Sequence, residues 1–202
     1  MDVGDWKLKT VSGGHFKVDG GTMFSVVPKA LWSRKVTPDE QNRVDQAANC
    51  LFIDTGDQKI LIDTGYGSKL NEKQQKFLNS ESGNPLERSH AELEIAPEEI
   101  DLVVLTHLHF DHAGGVTKVS ESGELELQFP NAQHIVQRGE WDIAHSDCHE
   151  LRNVYTVENF DLLQSSWQLE LIEGDQEIFP GLRTRVTGGH TKFHQAIVVE
   201  HA

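Results

Sequence analysis

Cysteine is nearly absent from this chain of 202 residues: Cys50 lies inside the apolar run Asn49-Cys50-Leu51-Phe52-Ile53, and Cys148 stands in polar surroundings. Two such cysteines imply no disulfide framework, and reduced thiols fit a reducing compartment. Long hydrophobic runs are missing as well, since no stretch approaches the ~20 apolar residues that a spanning helix requires. The first residues, Met1-Asp2-Val3-Gly4-Asp5-Trp6-Lys7, have neither the basic region nor the apolar region of a secretory signal. A cytoplasmic location with no membrane partner is expected. Basic side chains are in deficit, 18 against 32 acidic, for a formal net charge of -14. With no basic stripe to override it, that field repels a phosphate backbone, and no nucleic-acid partner is expected.

What is present is the composition of a globular protein, 37% hydrophobic and 25% charged, with a mean hydropathy of -0.45. The length favours one domain over residues 1–202. Strand patterns run over Trp6 to Val11 and Phe16 to Val18, punctuated by Gly20-Gly21, and residues 23–38 read as a connection with apolar anchors. Cys50 to Asp54 and Lys59 to Asp63, separated by Thr55-Gly56-Asp57-Gln58, read as a hairpin. A helix is expected from Ser68 to Leu78, with a loop over 79–85. Pro97-Glu98-Glu99-Ile100 reads as a short helical turn feeding the strand Asp101 to Thr106. Further on, His134 to Gln137 suggests a strand, Gly139 to Ala144 a helix and Val157 to Ser166 another. Strands are expected over Gln168 to Ile172, Ile178-Phe179, Leu182 to Thr187 and Gln195 to Glu200. This order predicts an α/β sandwich rather than an alternating barrel.

Eleven histidines are many for this length. Three of them fall in Thr106-His107-Leu108-His109-Phe110-Asp111-His112-Ala113-Gly114-Gly115, directly after the buried-looking run Leu102-Val103-Val104-Leu105. If the chain stays extended past the strand, His107 and His109 project to one side and can chelate one cation. Asp111 and His112 follow at the carboxyl end of a strand, where open α/β sheets place their ligand sites. Imidazole and carboxylate suit zinc, and also iron or manganese. Thr187-Gly188-Gly189-His190-Thr191 offers a further histidine on a glycine-rich turn. His194 is read as a surface residue of the next strand, able to approach the metal only if its segment were helical. His145, Cys148 and His149 make a weaker second cluster. Arg138, Trp141 and Tyr155 are candidate pocket residues, with ordinary core the competing reading for the aromatics.

Three segments, Leu61-Ile62-Asp63-Thr64-Gly65, Thr106 to Gly115 and Thr187 to Thr191, resemble those of the metallo-β-lactamase-fold superfamily of metallohydrolases. The similarity is greatest to the branch containing N-acyl-homoserine lactonases. The resemblance implies an αββα sandwich of two mixed β-sheets with helices outside. It assigns His107, His109 and His190 to a first metal, Asp111 and His112 to a second, and makes Asp63 an acid that orients a ligand. It also implies one or two zinc ions, a metal-bound hydroxide as nucleophile, and Asp111 as the catalytic group for the leaving alkoxide.

The superfamily pattern further implies a bridging aspartate and a last histidine after His190. Here Thr191 to Ala202 contain His194, Glu200 and His201 and no aspartate. The chain is therefore expected to be C-terminally incomplete, with the last elements of the second half missing; a short variant that lost its binuclear site is the competing reading. Three functions follow. The first is a hydrolase of a small-molecule lactone or other ester. The second is a catalytically impaired fragment binding one metal or none, whose open edge a homodimer would cover. The third, disfavoured by the imidazole-rich ligands, is a non-haem iron redox protein.

Overall fold

The computed structural model describes residues 1–147 and 154–200. Its main sheet has seven strands in the order β1-β2-β3-β4-β5-β8-β9. These are β1 (Asp2–Val3), β2 (Trp6–Asp19), β3 (Arg43–Asp54), β4 (Lys59–Ile62), β5 (Leu102–Val104), β8 (Gln133–Gln137) and β9 (Leu169–Ile172). β1 to β4 pair antiparallel, whereas β4, β5, β8 and β9 run parallel. A second sheet holds β10 (Glu177–Phe179), β11 (Leu182–Val186) and β12 (Gln195–Val199), and a small hairpin joins β6 (Thr117–Val119) to β7 (Leu125–Leu127).

The central strands are short apolar runs because both faces are covered. Ile60 and Ile62 of β4, Leu102 and Val104 of β5 and Ile135 of β8 point to one side, where they meet Leu182, Ile178, Phe179, Ile197 and Val199 of the second sheet. Leu61, Val103 and Val136 point the other way, against Leu86, Trp141, Phe160 and Leu163. The period of two thus divides each strand between an inter-sheet core and a helix-covered core. Leu86 and Trp141 come from α4 (Pro85–Glu92) and α6 (Arg138–Ala144). The remaining α-helices are α1 (Gly20–Phe24), α2 (Lys29–Trp32), α3 (Glu72–Leu78) and α5 (Phe110–Ala113).

The mixed α/β sandwich matches expectation, with several local corrections. The second sheet is antiparallel over its described strands rather than mixed. Trp6–Asp19 is one long strand, because a bulge between Ser12 and His15 absorbs Gly13-Gly14 without ending it. The connection over residues 23–38 contains α1 and α2. α3 begins at Glu72 rather than Ser68, since Asn71 closes a capping box with Gln74: Asn71 Oδ1 accepts from Gln74 N at 3.0 Å and Gln74 Oε1 from Asn71 N at 2.9 Å. α4 was not expected, although Asn84 as cap and Pro85 in the first turn are its start signals. The helix expected over 157–166 is two 3-10 stretches, Val157–Asn159 and Asp161–Ser165, interrupted where Phe160 leaves helical geometry at φ -139°.

Backbone packing locks the segment after β4 against the histidine-rich segment. Thr64 donates from N and Oγ1 to the His112 carbonyl at 2.7 and 2.9 Å, and Gly115 N donates to Gly65 O at 3.2 Å. A Cβ on Gly115 would lie 2.2 Å from the Thr64 carbonyl oxygen, so only glycine fits. Lys69 Nζ donates to Gly114 O at 2.6 Å and also to Thr117 O. Burial lowers its pKa to about 8.

Candidate metal centre

The parallel strands β4 and β5 both end at one place, and their first residues beyond the sheet build the site. Past Val104 the chain leaves the sheet and bends at Thr106 before reaching His109, which has φ -65° and ψ 155° and precedes α5. The His107 and His109 ring centroids are 4.7 Å apart. His190 reaches them from the turn between β11 and β12, where Gly188 and Gly189 take φ 59° and 87°. Its Nε2 lies 3.1 Å from His109 Nδ1. Candidate ligand atoms of His107, His109 and His190 all lie within 4.8 Å of one another. A tetrahedral zinc with bonds of about 2.1 Å has ligand separations of about 3.4 Å, so small rotations bring the three nitrogens into range.

Hydrogen bonds fix which nitrogen of His107 carries its lone pair. Asp63 accepts from Thr106 N at 2.8 Å and from Thr106 Oγ1 at 2.8 Å. The threonine hydroxyl proton is thereby committed, so Oγ1 accepts the Nδ1 proton of His107 at 3.1 Å. Nε2 of His107 is left with its lone pair, buried and without a hydrogen-bond partner among the described residues. An acceptor nitrogen buried in that way is costly unless a cation or donor meets it, and this is the observation that fits the three imidazoles to a metal. Burial, followed by the neighbouring imidazoles of His112 and His109, drives the pKa of His107 far below its ordinary value. Burial and His190 lower His109 to about 4. Both rings are neutral near pH 7, the form that binds a metal.

Asp111 and His112 sit in α5. Asp63, held at φ 60° in the left-handed region that Asp tolerates better than most residues, accepts from His112 Nδ1 at 2.8 Å. Burial opposes charging of His112, but the hydrogen bond to Asp63 and the negative charges of Asp63 and Asp111 together outweigh it and raise the pKa. The second nitrogen of His112 lies 3.5 Å from Asp111 Oδ2, while the His112 and His107 ring centroids are 4.1 Å apart. Thus His107, His109, Asp111, His112 and His190 converge, with Asp63 behind His112.

His194 departs from expectation. Its ring centroid is 5.1 Å from His107 and its Nδ1 is 2.7 Å from Thr187 Oγ1. A turn, not a helix, brings it there, with Thr187 N donating to His194 O at 2.8 Å. Glu140 has no motif and was missed. It is buried in α6 and accepts from Leu108 N at 3.3 Å, Tyr155 Oη at 2.9 Å and Thr191 Oγ1 at 2.7 Å. One carboxylate therefore ties the segment of His107 and His109 to the turn of His190. Gln195 adds a second tie, donating from N to Thr106 O at 3.0 Å and from Nε2 to Leu105 O at 2.8 Å.

Tyr155 is buried, its hydroxyl committed to Glu140; burial, and then that bond, raises its pKa. Trp141 belongs to the helix-covered core. Arg138 pairs with Glu173 at 2.9 Å on the surface. His145 bonds to Asp161 Oδ1 at 2.9 Å, whereas Cys148 and His149 lie outside the described residues. Cys50 is a free, buried thiol.

The metallo-beta-lactamase superfamily model matches residues 43–202, which include every ligand candidate. The chain belongs to the metallo-beta-lactamase superfamily. A solved structure of a probable metal-dependent hydrolase from Staphylococcus aureus is 33% identical, with a TM-score of 0.89 over 100% of this chain and 71% of that one. Among curated relatives, an N-acyl homoserine lactonase of a Bacillus species is 29% identical over 96% of this chain and 70% of its own length. The N-acyl homoserine lactonase of Bacillus cereus is also 29% identical, over 75% of this chain and 57% of that protein. This superfamily member thus spans only part of each relative's length. With these relatives, it is placed among the superfamily's hydrolases.

Proposed function

We propose that the site is the metal centre of a hydrolase that opens a lactone or cleaves another ester of a small molecule. The observation that carries this reading is the convergence of three imidazoles, including the buried and unpartnered Nε2 of His107, on an opening where His190 is exposed. His107, His109 and His190 hold the first cation, and Asp111 with His112 contributes to a second. Zinc suits this donor set, with iron and manganese as alternatives. A divalent cation bound there supplies Lewis acidity: it lowers the pKa of coordinated water to about 7 and polarises a carbonyl. The protein's own groups do the rest. Asp63 holds the His112 ring by its Nδ1 proton, Glu140 fixes the two ligand-bearing segments relative to each other, and Asp111 would take up the proton released by the attacking water and hand it to the leaving alkoxide oxygen.

The lactone preference rests on the curated relatives. It is tested by offering the zinc-loaded chain an N-acyl homoserine lactone, an aryl ester and a β-lactam. Ring opening of the lactone that disappears with a chelator is expected; turnover of the β-lactam alone would remove the lactone reading. A second reading, a chain that binds one metal or none without turnover, draws on the fact that His107, His109 and His190 are the sole potential metal-binding group of three or more ligands found among the described residues. Metal content separates the two, since two equivalents with turnover fits only the first.

Asp63→Asn tests the orienting acid. Asparagine has one acceptor oxygen to offer Thr106 N, Thr106 Oγ1 and His112 Nδ1, so at least one of these bonds is lost. Metal affinity is expected to weaken about 10- to 100-fold, measured by competition with a chromophoric chelator. Unchanged affinity would remove Asp63 from this role.

A further inference from the structure

The segment from Gly20 to Pro38 differs in charge from the rest of the chain. It contains Lys29, Arg34 and Lys35 and no acidic residue, so it carries +3 in a chain of net -14, leaving -17 elsewhere. None of these three side chains has an ion-pair partner within 4.0 Å among the described residues, although Lys29 Nζ lies 5.9 Å from the Trp32 ring centroid and its charge acts on Asp19. The same segment holds Met23, Val26, Val27, Leu31 and Val36, all exposed, with Val26 92% and Leu31 53% accessible. These five make half of the exposed large hydrophobics among the described residues, gathered within fourteen positions.

The apolar tips are not the sign of an unfolded segment, because its base is fixed. Trp32 is buried and stacks on Phe24 at 4.7 Å. A Cβ on Gly20 would lie 2.5 Å from the Trp32 ring. Asp19 caps α1 through Gly21 N at 2.8 Å and accepts from Asn42 Nδ2 at 3.0 Å. The large aromatic rings turn inward while the smaller aliphatic side chains remain in water. An exposed apolar cluster that is held in place and flanked by bases is a contact surface.

We propose that residues 20–38 form a peripheral docking surface for an anionic lipid bilayer, with Val26, Val27 and Leu31 entering the headgroup region and Lys29, Arg34 and Lys35 pairing with lipid phosphates. Apolar insertion and basic attraction are together the two signals that stable peripheral binding requires. The lack of a spanning helix among the described residues bears on crossing a membrane, not on resting against one. Charge favours a bilayer over a second copy of the chain. A two-fold contact through this surface would set six basic side chains against one another, whereas an anionic surface complements them. The repulsion of the acidic remainder is screened beyond a Debye length of about 8 Å. The proposal uses no residue of the metal centre and does not depend on the reaction catalysed.

Cosedimentation with vesicles of phosphatidylcholine alone, or mixed with phosphatidylglycerol, tests it. Binding to the mixed vesicles that weakens with salt is expected. It should fall at least about 100-fold in K29E/R34E/K35E and be lost in V26D/L31D, with the circular dichroism spectrum and metal content of both variants unchanged. No preference for the anionic vesicles, or binding that survives both sets of substitutions, overturns it. Absence of vesicle binding together with a concentration-dependent dimer abolished by V26D/L31D also overturns it, and would make the surface a contact between copies.

Discussion

His107→Ala is expected to strip the chain of bound metal and to lower lactone or ester turnover at least ~10³-fold, about 4 kcal/mol of transition-state stabilisation. His107 is the imidazole around which the others gather, with ring centroids at 4.1 Å to His112, 4.7 Å to His109, 4.9 Å to His190 and 5.1 Å to His194. Its removal therefore affects both candidate metal positions. Stability provides a second readout. A metal that binds only the folded chain adds about 4 kcal/mol when its concentration is a thousand times Kd. The parent protein should accordingly lose Tm when a chelator is added, while the variant should show the same Tm with and without it. A variant that retains stoichiometric zinc together with turnover would refute the assignment of His107.

The parts of the site that follow one another in sequence were legible there. The apolar run marks the strand, and the two-residue spacing of His107 and His109 places both rings just past its end, although the chain bends at Thr106 instead of continuing as strand. His190 was legible as a histidine on a glycine turn, though nothing in its own segment specified its distance from His109. Glu140 was not legible, because its role exists only through Leu108, Tyr155 and Thr191, which come from three other segments. A lone buried glutamate within a helix pattern carries no local signal of such a role. His194 was misplaced for a related reason: the two glycines argued for a turn and so against the helix that would carry this ring to the metal, whereas the turn itself, closed by Thr187, brings the ring into the site.

The same distinction holds for the fold. The hairpin of β3 and β4 depends on turn chemistry and apolar alternation within a dozen residues, and it was legible. The continuity of β2 through Gly13-Gly14 depends on contacts far away, since a Cβ on Gly13 would lie 2.5 Å from Gly65 Cα. Those glycines mark a close approach of two backbones rather than the end of a strand. The stretch from Val157 to Ser165 has helical spacing but no side-chain cap hydrogen bond from Thr156 or Phe160, and it packs as two short turns instead.

Acid should destabilise the chain well before its carboxylates titrate, through two histidines away from the metal centre. His90 in α4 is buried with neither ring nitrogen partnered among the described residues, and His134 in β8 is buried with Nε2 unpartnered. Burial lowers each to about 4 in the folded chain, from an ordinary value of 6.5. The unfolded chain therefore takes up protons first as pH falls, and stability present above about 6.5 is lost progressively until about pH 4, where the folded form also charges. Each group accounts for about 3 kcal/mol over that interval, so the pair approaches the total stability of an ordinary domain, about 5–15 kcal/mol. Urea midpoints at about pH 7.5 and about pH 4.5, taken with a chelator present, measure the loss. His90→Leu removes two unpartnered buried nitrogens, and should take its own share of about 3 kcal/mol out of the loss between about pH 6.5 and about pH 4, to which His107 and His109 also contribute once metal is removed, while leaving stability at neutral pH equal or higher. An unchanged slope in His90→Leu would show that this ring is already charged, or solvated, in the folded chain.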